Sequence, residues 1–353
     1  MRSQTFLRHF SATLDIYGVG YLKRTGFLFA FAASILISNA RLGFAGVTFG
    51  SGTNQFEITF VAIGNRDNPA DERISASPNP VGNVKYDYGL SMFEISENMI
   101  DGYNSEIGNG SPLAISHNHR GPNKPATSIT WNEAARFVNW LNTSTGKHAA
   151  YKFDGNIDIN QNISLWDAGD WLDFNPENPF RSKRATYVLP STDEWYKAAY
   201  FIPSTNSYSN YTNGLNTPPD AVIEGTEANT AVYDKSVPAD VTLAGGANQN
   251  GIVGLGGNVF EWEESAEDRS NNIPSENRGI RGGSWQLGVT QLLYSTRYGV
   301  TPDNLYYHNQ HMLGFRVAMV TPSGGQVPEP STMAIFGLGA LGMAYRARRK
   351  SKA

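Results

Sequence analysis

The stretch GIVGLGGNVFEW, residues 251–262, concentrates residue types that build small-ion and phosphate sites. Three readings are open to it: a phosphate-cradling loop, a metal site, or a tight structural turn. A nucleotide loop needs a buried strand before it, a helix after it and glycines at fixed spacing. Gly254, Gly256 and Gly257 fit neither G-x-G-x-x-G nor G-x-x-x-x-G-K-[ST], and the preceding LAGGANQN is too polar for a buried strand. The metal and turn readings remain.

Other chemistry-bearing residues come in small groups. His117 and His119 (SHNH) sit at a spacing that puts both on one face of a strand, where they can share a metal. With no third ligand in view, the expectation is a pair of solvated loop histidines, and His308 and His311 are read the same way. Glu261, Glu263 and Glu264 offer carboxylates for acid–base work. The plainer reading makes Glu261 structural and leaves Glu263 and Glu264 in a solvated stretch. Arg281 and Arg316 can grip an anion by bidentate contacts or anchor the core through buried pairs, and the second is expected. Trp131, Trp140, Trp195 and Trp262 read as core, whereas Trp166, Trp171, Tyr208 and Tyr211 are the candidates for a sugar-stacking platform. The chain has no cysteine, which removes disulfides, thiolate metal sites and cysteine nucleophiles together.

Both ends of the 353 residues read as addresses. Lys23 and Arg24 precede the apolar run 26–38, and small residues follow at Ala40, Gly43 and Ala45. That order is a secretory signal, cut after Ala40 or Ala45, so residues 1–45 are assigned to it. At the other end, Pro328-Glu329-Pro330 precedes an apolar segment, 333–345, and five basic residues. This tail resembles a PEP-CTERM sorting tail, which implies an exosortase as partner, transient membrane contact through a short transmembrane helix, and release to the cell envelope or outside. Without residues 1–45 and 328–353 the chain keeps 18 basic against 30 acidic residues, a net of −12. So acidic a domain is a poor partner for nucleic acid and a reasonable one for calcium.

The elements that must position these groups are few. VKYDYGLSMFEIS alternates, with Tyr86, Tyr88, Leu90 and Met92 on one face, and predicts a strand. Thr130-x-x-Glu133 and Ser191-x-x-Glu194 are capping boxes that open two helices. Residues 154–185 and 201–228, rich in Asn, Asp and Pro, read as long surface excursions. No repeat or linker interrupts residues 46–320, which are assigned to one domain. Residues 321–353 are linker and tail.

SITWNEAARFVNWLN, YVLPSTDEWYKAAYF, GLGGNVFEW, RGIRGGSW and LGFRVAM follow one another in this order. Together they resemble the motifs of the formylglycine-generating enzyme domain, the sulfatase-modifying-factor family. The resemblance implies an irregular α+β fold, a variant of the C-type lectin fold, with short strands and few helices. In the family's sulfatase-activating members, two cysteines after the Gly-Gly-Ser-aromatic motif bind copper; here the motif is 282–285 and the matching positions are Leu287 and Leu292. No copper is expected. The resemblance further implies calcium, held by the Gly257 and Val259 carbonyls with the Glu261 carboxylate, and at a second place by Asn229 and the Thr230 carbonyl. Gly254 departs from the pattern where a ligating Asn is implied. The functional expectation is a secreted, non-catalytic module that binds a ligand, with polysaccharide as the candidate. The alternative is a metal-dependent oxidoreductase with iron or copper on His117, His119 or His308.

Overall fold

The computed structural model describes residues 44–108, 110–153, 162–303 and 310–322. The signal region up to residue 43, the sorting tail from 323 and His308 lie outside the described residues. The chain runs through β1 (Phe44–Phe49), β2 (Phe56–Ile63), β3 (Tyr88–Ser91), helix α1 (Glu97–Ile107) and helix α2 (Trp131–Thr143). It continues with β4 (Tyr187–Val188), helix α3 (Thr192–Tyr200), β5 (Phe260–Ala266), β6 (Arg278–Arg281), β7 (Tyr298–Val300), β8 (Leu313–Gly314) and β9 (Ala318–Met319). Few helices and short strands make this the expected α+β class.

Two sheets organise the domain. One has the order β1-β2-β3-β9-β4, antiparallel throughout. Its centre carries Leu90 opposite both Val61 and Ala318. The other has the order β7-β6-β5-β8, with β8 parallel to β5. The register of β5 against β6 shifts between Trp262 and Ala266, a bulge of the kind that re-aims side chains.

Both capping boxes form. Thr130 accepts from the Glu133 amide while the Glu133 carboxylate takes the Thr130 amide, and Ser191 and Glu194 repeat the exchange. Each satisfies two otherwise orphaned donors of the first turn. Trp131, Phe137 and Leu141 on α2 and Trp195 on α3 are fully buried; Trp140 packs against the core from its edge. α1 carries no such signal: its N-cap Ser96 makes no side-chain cap bond. The alternating run around Tyr88 yields a strand of only four residues, all buried, with its two edges paired to β2 and β9. The segment 165–185 is no simple excursion either, since Phe180 and Arg181 are core residues.

β1 bears on the signal assigned to residues 1–45. Phe44 pairs with Val61 and Ala45 with Phe60, so cleavage after Ala45 removes the first two rungs of the ladder. Cleavage after Ala40 spares them. The exported chain is expected to begin at Arg41, checked by N-terminal sequencing; a chain beginning at Gly46 contradicts this.

Candidate functional site

β5 reads FEWEESA, yet every residue in it is buried. Its three glutamates are each met by arginine. Glu261 takes two bonds from Arg316, Nη2 to Oε1 at 2.5 Å and Nε to Oε2 at 2.6 Å, and a third from Trp195 Nε1 at 2.7 Å. Glu263 takes Arg281 Nε at 2.5 Å, Arg297 Nε at 2.7 Å and the Thr192 hydroxyl at 2.7 Å. Gly279 leaves room for the Glu263 carboxylate, because a Cβ there would lie 2.0 Å from Glu263 Oε2. Glu264 takes Arg181 Nε, the Tyr151 hydroxyl and Asn178 Nδ2. Arg181 also clasps Glu194 at 2.9 Å through both terminal nitrogens. Burial works against ionising Glu194 and Glu263, but their arginines hold both below the usual carboxylate range. The solvated stretch expected at Glu263 and Glu264 is therefore core, and Arg281 and Arg316 are the buried anchors expected of them.

Glu94 stands beside this ladder without an arginine bonded to it. It is fully buried, and both its oxygens accept from Asn258 Nδ2 at 3.1 Å. Gly254, at φ +77°, makes way for it: a Cβ there would meet Glu94 Oε1 at 2.7 Å. Burial, then the negative charge of Glu261, push the Glu94 carboxyl up to about 8 despite Arg316.

Of the groups assigned to calcium, the Glu261 carboxylate is already committed within the protein. Both oxygens of Glu261 serve Arg316 and Trp195, and the guanidinium already supplies the positive charge. Gly257 is bridged to Val232, and Val259 is packed in a small core with Trp285 and Met312. Asn229 Oδ1 accepts from Asn213, and the Thr230 carbonyl accepts from the Gly246 amide. Thr230, Gly254 and Gly256 do meet around one cavity of about 10 Å³, with Thr212, Asn213 and Asn248. It has room for a single water-sized group, and no carboxylate lines it. The glycine-rich stretch 251–262 turns the chain and threads Glu261 and Trp262 into the core.

The histidines have separate fates. His117 is buried, not solvated: Nε2 pairs with Asp101 at 3.0 Å, and Nδ1 accepts from the His119 amide. The positive φ of His119, +49°, takes it off any strand. Arg120 ties this loop to His311, donating to its carbonyl at 3.1 Å and lying over the Trp285 ring at 4.9 Å. No cluster of three ligating side chains occurs among the described residues. Leu287 and Leu292 are packing residues. Leu292 is fully buried with Tyr211 and Ala231, and Leu287 packs against Trp285 and Val232. Of the platform candidates, only Trp171 offers its ring to water, at 70% exposure; Tyr211 is buried and Tyr208 is held by its hydroxyl.

Residues 59–321 match the sulfatase-modifying factor enzyme 1-like domain. The chain belongs to that family. Residues 326–350 match the PEP-CTERM protein-sorting motif, so this family member is sorted by exosortase and exported. No curated protein matches the chain. Among solved structures it is similar to Treponema denticola variable protein 1, at 19% identity over 78% of this chain and 98% of that one, with a TM-score of 0.50. It is also similar to CarF (19%, covering 66% and 86%, TM-score 0.45) and to PvdO from Pseudomonas aeruginosa (18%, covering 79% and 98%, TM-score 0.46). At these identities the likeness concerns the fold.

Two outcomes follow from the buried carboxylates. The folded chain keeps on Glu94 a proton that the unfolded chain, near 4.5, has released. That contribution is complete below about 4.5 and is lost as pH rises towards 8. The melting temperature should show a component that falls over this window, and Glu94→Gln should flatten it. An unchanged pH profile in the variant contradicts the assignment. Removing the charge of Glu261 leaves Arg316 buried and unpaired, so Glu261→Gln should lower the melt by ~5–10 °C, the scale of a broken buried pair. EDTA should leave the wild-type melt unchanged; a drop of several degrees on chelation would restore calcium.

Proposed function

We propose that the exported domain is a non-catalytic binding module of the cell envelope or extracellular matrix, and that its ligand is a polysaccharide. The observation that carries this reading is the pair Leu287 and Leu292. They stand where the family's sulfatase-activating members place copper-binding cysteines, and both are packed among apolar side chains. Leucine offers neither thiolate nor any other lone pair to a metal. A chain without cysteine has no other thiol to recruit. What the family frame keeps is a rigid core under irregular loops, the arrangement on which binding sites are commonly built. The PEP-CTERM motif supports a place outside the cell, where polysaccharide is the abundant polymer. Before cutting, the apolar segment 333–345 and its basic end hold the protein transiently at the membrane.

Two assays on the purified, tail-free protein test this together. A sulfatase-type cysteine peptide should keep its mass with and without copper, and a glycan array should return bound polysaccharides. Conversion of the peptide to the aldehyde, or an array without signal, overturns the reading.

A further inference from the structure

The loop 165–185 does two things at once. Its first half turns tightly. Asp167 caps the turn Ala168–Asp170 by accepting from the Gly169 amide at 2.7 Å, and the amides of Asp173 and Phe174 both return to the Asp170 carbonyl. Lys183 comes back across it, its amide donating to the Asp173 carbonyl at 2.9 Å and its Nζ to the Trp171 carbonyl at 2.8 Å. The backbone under Trp171 is thus bonded on several sides while the indole stands in water, 70% exposed. A large apolar ring exposed on a fixed backbone costs hydration in the free protein and offers a face for stacking.

Its second half forms one wall of a cleft of about 560 Å³, the size of a site for a small oligosaccharide. Asn175, Glu177 and Lys183 face Asn83, Lys85 and Tyr86 across it. The floor is stiff, because Arg181 beneath it is clasped by Glu194 and Glu264, and Tyr86 is pinned through its hydroxyl to Glu194 at 2.7 Å. Thr321 Oγ1, also on the lining, is buried with no hydrogen-bond partner among the described residues. The charges of Arg181 and Asp193 are already met within the protein, Asp193 by Arg269 at 3.0 Å. That leaves Lys85 and Lys183 at the rim against Glu177, a locally positive edge on a domain of net −12.

Building on the polysaccharide reading, we propose that this cleft binds a carboxylated glycan, with a uronate carboxylate set between Lys85 and Lys183 and the chain continuing outside the lining onto the exposed ring of Trp171, whose carbonyl Lys183 holds. The amides of Asn83 and Asn175 supply donors and acceptors for sugar hydroxyls. The lysines select the acidic polymer, since a neutral sugar gives them no counter-charge.

Calorimetric titration with tetragalacturonic acid, and with maltotetraose as the neutral probe, tests the site on the tail-free protein. The wild type should bind the acidic tetramer, more weakly as salt is raised, and should not bind the neutral one. Trp171→Ala should weaken binding roughly tenfold, the scale of one lost stacking contact. Lys85→Glu with Lys183→Glu should abolish it, and all these side chains are exposed, so the melt should not move. Binding that survives both variants overturns the cleft while leaving the polysaccharide reading intact. Preference for the neutral tetramer overturns the charge assignment. Silence of both probes overturns the cleft, and a blank array besides overturns the wider reading with it.

Discussion

A strand that buries three glutamates in seven residues must either keep them protonated or bring a cation to each of them. An isolated carboxylate loses several kcal/mol on leaving water, and only close, hydrogen-bonded partners return it. The fold meets this by drawing arginines to β5 from four separate places: Arg181 below α3, Arg281 on β6, Arg297 before β7 and Arg316 between β8 and β9. Each arginine brings its own segment. Arg316 fixes the last crossing of the chain by donating also to the carbonyls of Ser91 and Val253. The short ladders of this domain, many of two residues, could not position one another alone; the ion pairs do so.

The same ladder separates frame from chemistry. Glu261, Trp195 and Arg316 belong to the motifs that mark the family, and all three point inward. Leu287 and Leu292 lie further along the chain in satellite cores around Trp285 and Tyr211. Neither leucine takes part in the arginine–glutamate pairs that hold β5.

How far the sequence revealed this follows from the range of each interaction. The capping boxes at Thr130 and Ser191 are complete within four residues, and both helices were legible. Helix α1 was not, since its Ser96 makes no cap bond and its buried side is narrow. Glu263 and Glu264 read as solvated surface in the sequence because their arginine partners sit 18 to 83 residues away, and a run of charges by itself looks like solvated surface. His117 was misread for the same reason: Asp101 and Glu97 come from a helix the sequence did not announce. The ordered motifs identified the family where local pattern could not. Glu94 had no signal at all, because its environment is made by Gly254 and Asn258, about 160 residues on.

The position of Arg316 sets the timing of folding. The last cation needed by β5 lies 55 residues after Glu261, beyond both neighbouring strands, and it closes on Ser91, 225 residues back. Until that final segment is available, Glu261 has no charge partner and the sheet centred on β3 lacks β9. Contacts of such long range form late and slowly. A chain that emerges N-terminus first cannot complete the pairing of β5 until Arg316 has followed it.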